Sequence, residues 1–211
     1  MKKVILLGVV VFALALTANV AFAQLTGVTA DDTITPVQLD VNSTIAIACQ
    51  PSVTMGAITG TGYSGGAATI TASQNAAYCV VKTNNSTGYK LEWAASGVNL
   101  DNATDLIGPY TPAGASPEVW SMATNTSEWG AHIMSISTDE SSTTWGTGDT
   151  YAGGKWFNVA TSNYEVLSRS TKTTPYLGSE TYVLFGAQVG ADKFQPTGTY
   201  NQDVTMTATT I

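Results

Sequence analysis

"VQLDVNSTIAIAC", residues Val37 to Cys49, puts Val37, Leu39, Val41, Ile45, Ile47 and Cys49 on odd positions with polar or small residues between them. An extended chain points successive side chains to opposite faces, so this spacing reads as one long half-buried strand, or two in line broken near Asn42-Ser43. Pro36, which has no N–H to give a ladder, marks where pairing begins or where an edge lies.

The same period recurs along the chain. Val53 to Ile58 reads as a short strand before the Gly-rich stretch at Gly60 to Gly66. "AATITAS" (Ala67 to Ser73), "YCVVKTN" (Tyr78 to Asn84) and "YKLEWAA" (Tyr89 to Ala95) follow. The last two are joined by Asn85-Ser86-Thr87-Gly88, residues that tolerate tight backbone angles, which predicts a hairpin. Near the C-terminus "TYVLFGAQVG" alternates Val183, Phe185, Ala187 and Val189, and the closing strand places Tyr200, Val204, Met206 and Ala208 on one face. Many short strands separated by Gly and Pro turns predict an all-β chain, an immunoglobulin-like antiparallel β-sandwich.

Between about 97 and 178 the pattern is less regular and holds four of the five Trp, namely Trp120, Trp129, Trp145 and Trp156. Gly, Pro, Ser and Thr recur too often for a long helical face. Strands at Ala131 to Ser137 and Trp156 to Ala160 are expected within what reads as a long Trp-rich insertion in the β-domain. The four Trp are either candidates for stacking on a surface glycan or fillers of a small satellite core under long loops.

The first residues set an expected compartment. Lys2 and Lys3 precede an apolar run from Val4 to about Leu16 and the small-residue site Ala21-Phe22-Ala23, the pattern of a bacterial secretory signal peptide over 1–23. The run is too short for a membrane span, and no later stretch approaches one. The chain then divides into an N-terminal extension or first strand, 24–41, and a β-domain, 42–211. A secreted, extracellular or cell-surface protein is expected. The 8 basic residues fall to 6 when Lys2 and Lys3 are set aside, against 15 acidic. So acidic a chain has little with which to displace phosphate counterions, which argues against a nucleic-acid partner. Cys49 and Cys79, an even pair in an exported chain, are expected to form one disulfide.

Signals for chemistry are few. Gly62-Tyr63-Ser64-Gly65-Gly66 fits the G-x-S-x-G nucleophile elbow, which needs a strand before the Ser, a helix after it and a base. Here a strand pattern follows, and the sole His, His132, lies in a strand pattern itself. A zinc site lacks ligands. Calcium could draw on Asp101, Asn102 and Asp105, or on Asp139 and Glu140, but without a recognisable calcium spacing; no cofactor and no enzyme activity are expected.

Two ends of the chain carry a resemblance. An early strand bears one cysteine, a later strand begins with the second, and the last strand opens "GTYNQDVTMTATT", in which Gly198, Tyr200, Asp203 and Val204 loosely match a terminal G-x-Y-x-D-x-V-x-V pattern. Over roughly 37–95 and 181–211 the chain resembles the secreted β-sandwiches of the spore coat protein U and chaperone–usher pilin type. The resemblance implies a structural subunit that self-associates into a filament or lattice by β-strand addition. Val37, Leu39 and Val41 would then form the donor or edge strand, with Tyr200, Val204, Met206 and Ala208 on the acceptor or core strand. An adhesive or carbohydrate-binding module using the Trp-rich middle is the alternative.

Overall fold

The computed structural model describes residues 38–64, 76–135, 137 and 142–211. The chain separates into two units, Met1–Asp40 and Val41–Ile211; the architecture below is that of the second. Its elements are β1 (Ile45–Cys49), β2 (Gly62–Tyr63), β3 (Ala76–Thr83), β4 (Tyr89–Ala95), β5 (Leu100–Asp101), β6 (Leu106–Pro109) and β7 (Glu118–Val119). After these come β8 (Ser127–Ile133), a one-turn helix α1 (Ser142–Trp145), β9 (Lys155–Trp156), β10 (Tyr164–Arg169), β11 (Ser179–Val189) and β12 (Val204–Thr210). The protein is all-β. Among the described residues no helix is long and apolar enough to cross a membrane.

Two sheets enclose the main core. The larger runs β1-β3-β11-β8-β6-β5, with β2 also paired to β11; the smaller runs β10-β4-β12. Their inner faces follow from alternation. In β4, Tyr89, Leu91, Trp93 and Ala95 are buried while Lys90, Glu92 and Ala94 are half-exposed. Val81 on β3, Val183 and Ala187 on β11, and Trp129, Ala131 and Ile133 on β8 meet them in one apolar cluster. The hairpin expected across Asn85 to Gly88 does not form: β3 lies in the larger sheet and β4 in the smaller, and the turn, in which the Gly88 N–H donates to Asn85 O at 3.1 Å, carries the chain from one sheet to the other. Gly88 has φ +87°, and a Cβ there would run into the backbone carbonyl of Arg169, so glycine is required at this position.

Cys49 and Cys79 are direct cross-strand partners in the antiparallel β1–β3 ladder and are joined by a disulfide. The bond ties edge strand β1 to the body. The N-terminal half of the expected long strand is not part of it. Leu39 and Val41 are exposed and belong to no strand, and Val37 lies outside the described residues, as does "AATITAS". Val53 to Ile58 also forms no ladder, although Val53, Met55 and Ile58 pack against the core.

The middle of the chain is not a single insertion. β8 pairs with β11 over seven residue pairs and so sits inside the larger sheet, and β10 is an outer strand of the smaller one. Trp129 and Trp145 belong to the main core. What lies outside is an aromatic layer on the outer face of the larger sheet, where Tyr110, Trp120, Tyr151 and Trp156 cluster with Met134 and Leu184. Tyr110 stacks on Trp120 at 4.4 Å, Tyr151 on Trp156 at 4.8 Å, and the Trp120 and Trp156 rings meet edge-to-face at 5.3 Å.

A floor of two glycines makes room for this layer. Gly130 on β8 and Gly186 on β11 are cross-strand partners. A Cβ on Gly186 would lie 2.5 Å from the Tyr151 hydroxyl and 2.8 Å from Trp156; one on Gly130 would lie 2.7 Å from the Phe157 carbonyl. Gly186→Val is expected to lower unfolding free energy by at least about 1–3 kcal/mol, the usual cost of overpacking, and to change the near-UV aromatic signal. Urea unfolding with near-UV circular dichroism checks it; a shift below about 0.5 kcal/mol, the scale of an ordinary surface substitution, would contradict it.

The strand directions define two ends of the body. At the turn end lie the Asn85–Gly88 turn between β3 and β4, the start of β1 and the chain around Thr173, whose N–H donates to Thr83 O. At the loop end lie the last residues of β11, the loop from Gly190 to Asp203, and the bridge between Asp101 and Asn201.

Candidate functional site: an apolar groove between two sheet edges

β1 and β12 are the outer strands of the two sheets and run close to each other on one side of the body. Among the described residues β1 has a ladder only to β3, and β12 only to β4. Beyond Cys49 the chain leaves the larger sheet, and the two edges part. Between them lies a cavity of about 1590 Å³. Its floor is Ile107, Trp129, Phe185 and Val189 of the larger sheet; Val204 and Met206 of β12 form one wall and Val53, Met55 and Ile58 the other.

Pairing explains why the groove stays open. Val204, Met206 and Ala208 point inward but are only half-buried, in contrast to the fully buried Leu91 and Trp93 of neighbouring β4. Among the described residues the free side of β12 has no ladder partner and stands above apolar surface, the condition in which a sheet edge accepts another strand. Small-molecule pockets usually measure about 300–1,000 Å³ and converge several polar groups on the ligand. This groove is larger; its floor is apolar while residues such as Gln50, Thr54, Gln195 and Asn201 also line it, a mixture that suits an extended segment with alternate apolar side chains.

The sequence candidates fall at different places. Tyr200 precedes β12, its hydroxyl donating to Pro196 O at 2.7 Å and accepting from Gln195 Nε2 at 2.7 Å, so it braces the loop end of the groove. Leu39 and Val41 are 84 % and 76 % exposed. The glycan-stacking assignment is overturned: Trp120, Trp129, Trp145 and Trp156 are 8 %, 1 %, 1 % and 0 % exposed, and leave no ring face for a sugar. Each indole N–H is also engaged, by Gln188 Oε1, Val98 O, Val166 O and Thr150 O respectively.

Ser64 is buried at the back of the groove. It follows β2, its Oγ lies 3.1 Å from the Tyr151 hydroxyl, and it accepts the Ala187 N–H at 3.2 Å. Burial pushes the Tyr151 phenol up to about 12, so it stays protonated and is no base. His132 is fully buried on β8, its Nδ1 3.0 Å from Lys155 O and its Nε2 3.3 Å from Asp149 Oδ1. Its pKa lies below the usual value because desolvation outweighs those two partners. Asp149 also accepts the Ser135 N–H and hydroxyl, so the pair pins the 149–155 stretch to β8.

The calcium candidates serve as turn caps. Asp101 Oδ1 accepts the Ala103 N–H, and Asn102 Oδ1 accepts from Thr104 N and Asp105 N at 3.0 and 2.7 Å. Asp139 and Glu140 lie outside the described residues. Among the described residues no three His, Cys, Asp or Glu gather as a metal site. Sequence reasoning missed the groove's second wall. Val53, Met55 and Ile58 carried the apolar signal but were read as a strand, since apolar content does not tell a ladder from a lining.

No protein-family model matches the chain, and no curated protein matches it.

Proposed function

We propose that the chain is a secreted, non-enzymatic structural subunit of a bacterial surface assembly, a pilus, coat or surface-layer-like polymer, built by β-strand addition. In this reading the two sheets form an immunoglobulin-like sandwich short of one strand, and the 24–41 segment of a neighbouring copy fills the groove beside β12. Backbone hydrogen bonds to the free edge supply affinity, and Val37, Leu39 and Val41 enter the cavity as alternate knobs. The observation that carries it is the edge of β12, which has no ladder partner among the described residues on that side, standing over an open groove with an apolar floor. The exposure of Leu39 and Val41 supports donation to another copy over pairing within the chain. The resemblance of the chain ends to coat protein U and pilin sandwiches points the same way.

Head-to-tail donation does not close, so the product is a filament. The mature chain, 24–211, is expected to form filaments under the electron microscope, and Leu39→Asp with Val41→Asp to reduce them at least tenfold, since a buried unpaired carboxylate costs several kcal/mol. Removing 24–41 should abolish them. Polymerisation of the trimmed chain at the full-length rate would sink the proposal.

A further inference from the structure

Asn-x-Ser/Thr, the acceptor pattern for N-linked sugar on exported chains, occurs at Asn42, Asn84, Asn85, Asn102 and Asn125. In a chain this rich in Asn and Thr the pattern alone decides nothing, but sugar transfer makes physical demands that the five meet differently. The amide nitrogen must be free to react. The hydroxyl two residues on must be open to the enzyme, and the backbone between must not be locked in a ladder or a tight turn.

Four of the five fail. Asn84 donates its Nδ2 to Asn42 O at 3.0 Å and takes the Thr44 N–H on its Oδ1 at 2.6 Å, so its amide is engaged at both ends. The Asn85 Nδ2 donates to Thr87 Oγ1, Gly88 O and Ile211 O. Asn102 is closed into a turn, its Oδ1 accepting from Thr104 N, Thr104 Oγ1 and Asp105 N, so the hydroxyl a transferase needs is bound to the very amide it would modify. Asn125 is exposed, but its partner Ser127 opens β8, is 8 % exposed and is laddered to Val189 of β11.

Asn42 meets all three demands. Gln38 to Thr44 are exposed throughout and belong to no strand, turn or bend. The Asn42 side chain makes no hydrogen bond among the described residues, while its carbonyl is held by Asn84 Nδ2. The exposed Thr44 hydroxyl donates across a long 3.3 Å to Asn84 Oδ1, a bond that water or an enzyme group replaces at little cost. Asp40 stands two residues before Asn42, exposed and accepting from the Gln38 amide. That acid belongs to the longer acceptor pattern of bacterial oligosaccharyltransferases, and at the other four sites its place is taken by Lys82, Thr83, Leu100 and Ala123.

We infer that Asn42 is an N-glycosylation site, the acceptor for an oligosaccharide carried on a lipid pyrophosphate. Asn42 Nδ2 attacks C1 of the first sugar. The N–C1 bond forms as the C1–O bond to pyrophosphate breaks, the electron pair leaves with the lipid pyrophosphate, and the amide proton passes to a base of the transferase. The inference needs export of the chain, as strand addition does, but it does not need strand addition.

Peptide mapping of the native secreted protein tests it, because trypsin separates the five sites. Cleavage after Lys82, Lys90 and Lys155 leaves Asn42 in the peptide ending at Lys82, Asn84 and Asn85 in 83–90, and Asn102 and Asn125 in 91–155. An oligosaccharide mass is expected on the first peptide alone, placed on Asn42 by fragmentation. Asn42→Gln and Thr44→Ala should remove it, and Thr44→Ser should keep it. Asp40→Asn should cut the occupied fraction about tenfold, the loss expected for one charge-assisted hydrogen bond to the enzyme. A bare first peptide, or sugar on either of the other two in its place, would overturn the site; unchanged occupancy in Asp40→Asn would overturn the part given to Asp40. Filaments built from a chain bare at Asn42 would leave strand addition standing, whereas a glycosylated chain that stays monomeric would keep the site and overturn strand addition.

Discussion

Replacing Trp93 with alanine is expected to lower the free energy of unfolding by about 3–5 kcal/mol. Trp93 sits on β4, the middle strand of the smaller sheet, opposite Tyr164 of β10 and Met206 of β12. Its ring is fully buried, meets Trp145 edge-to-face at 5.5 Å and lies stacked 6.0 Å from Tyr164. Trp145 is held in turn by its indole N–H on Val166 O at 2.9 Å, so it cannot follow the truncation inward. The void therefore stays. Urea unfolding followed by far-UV circular dichroism gives the number, and a loss below about 1.5 kcal/mol, typical of a volume-conserving swap, would mean that the core collapses around the gap. One feature works against the wild-type ring: the Trp93 indole N–H has no hydrogen-bond partner among the described residues. Trp93→Phe removes that donor together with some volume, so it should cost clearly less than alanine.

Breaking the Cys49–Cys79 bond is expected to cost roughly 3–4 kcal/mol by the chain-entropy relation. The sequence separation is 30 residues. For a domain of this size each kcal/mol moves the melting temperature by about 2–4 °C, so the double alanine variant should melt near 10 °C lower. The effect should not be spread evenly. β1 is an edge strand, and Ile45 and Ile47 are only half-buried. Amide exchange should quicken first over residues 45–49, while β3 and β11 in the middle of the sheet stay protected. Uniform acceleration would show that β1 is not a separately opening unit. Because Ile47 and Cys49 line the groove, the variant should also assemble less well.

What was legible in the sequence depends on whether a strand has one buried face or two. β4, with every odd residue buried, and β12 both alternate in sequence; β4 lies where it was expected, and β12 holds Val204, Met206 and Ala208 but not Tyr200, which precedes it. β8 is buried on both sides, by the core on one and by the aromatic layer on the other. Its Glu128 and His132 stand on one face, but Gly130 between them and the burial of His132 break any polar-out pattern, and its expected position at Ala131 to Ser137 fell four residues late. Leu39 and Val41 depart from their pattern in the opposite way: alternation is present in the sequence, but among the described residues they belong to no strand and are exposed. Alternation records which side chains could be buried, and pairing decides which are. For the same reason four Trp could be found by inspection while their exposure could not, since composition carries no direction. The groove was partly legible through the facing residues of β12. Its far wall was not, because Val53, Met55 and Ile58 line it without regular structure.

The place of β12 has a kinetic side. Its partner is β4, with Ala95 opposite Val204 and Tyr89 opposite Thr210, and β3 likewise waits for β11. A chain synthesised from its N-terminus presents β3 and β4 early, yet the two belong to different sheets and both lack their later neighbours until most of the remaining sequence has appeared. Topologies dominated by such distant pairings fold in milliseconds to seconds, where local ones take microseconds. Through that interval the inner faces of Val81, Leu91 and Trp93 stand uncovered, and a stall anywhere between Ala95 and Val204 prolongs it. The strand that borders the groove is thus also the one whose arrival ends the period in which the newly made chain is most prone to stick to its neighbours.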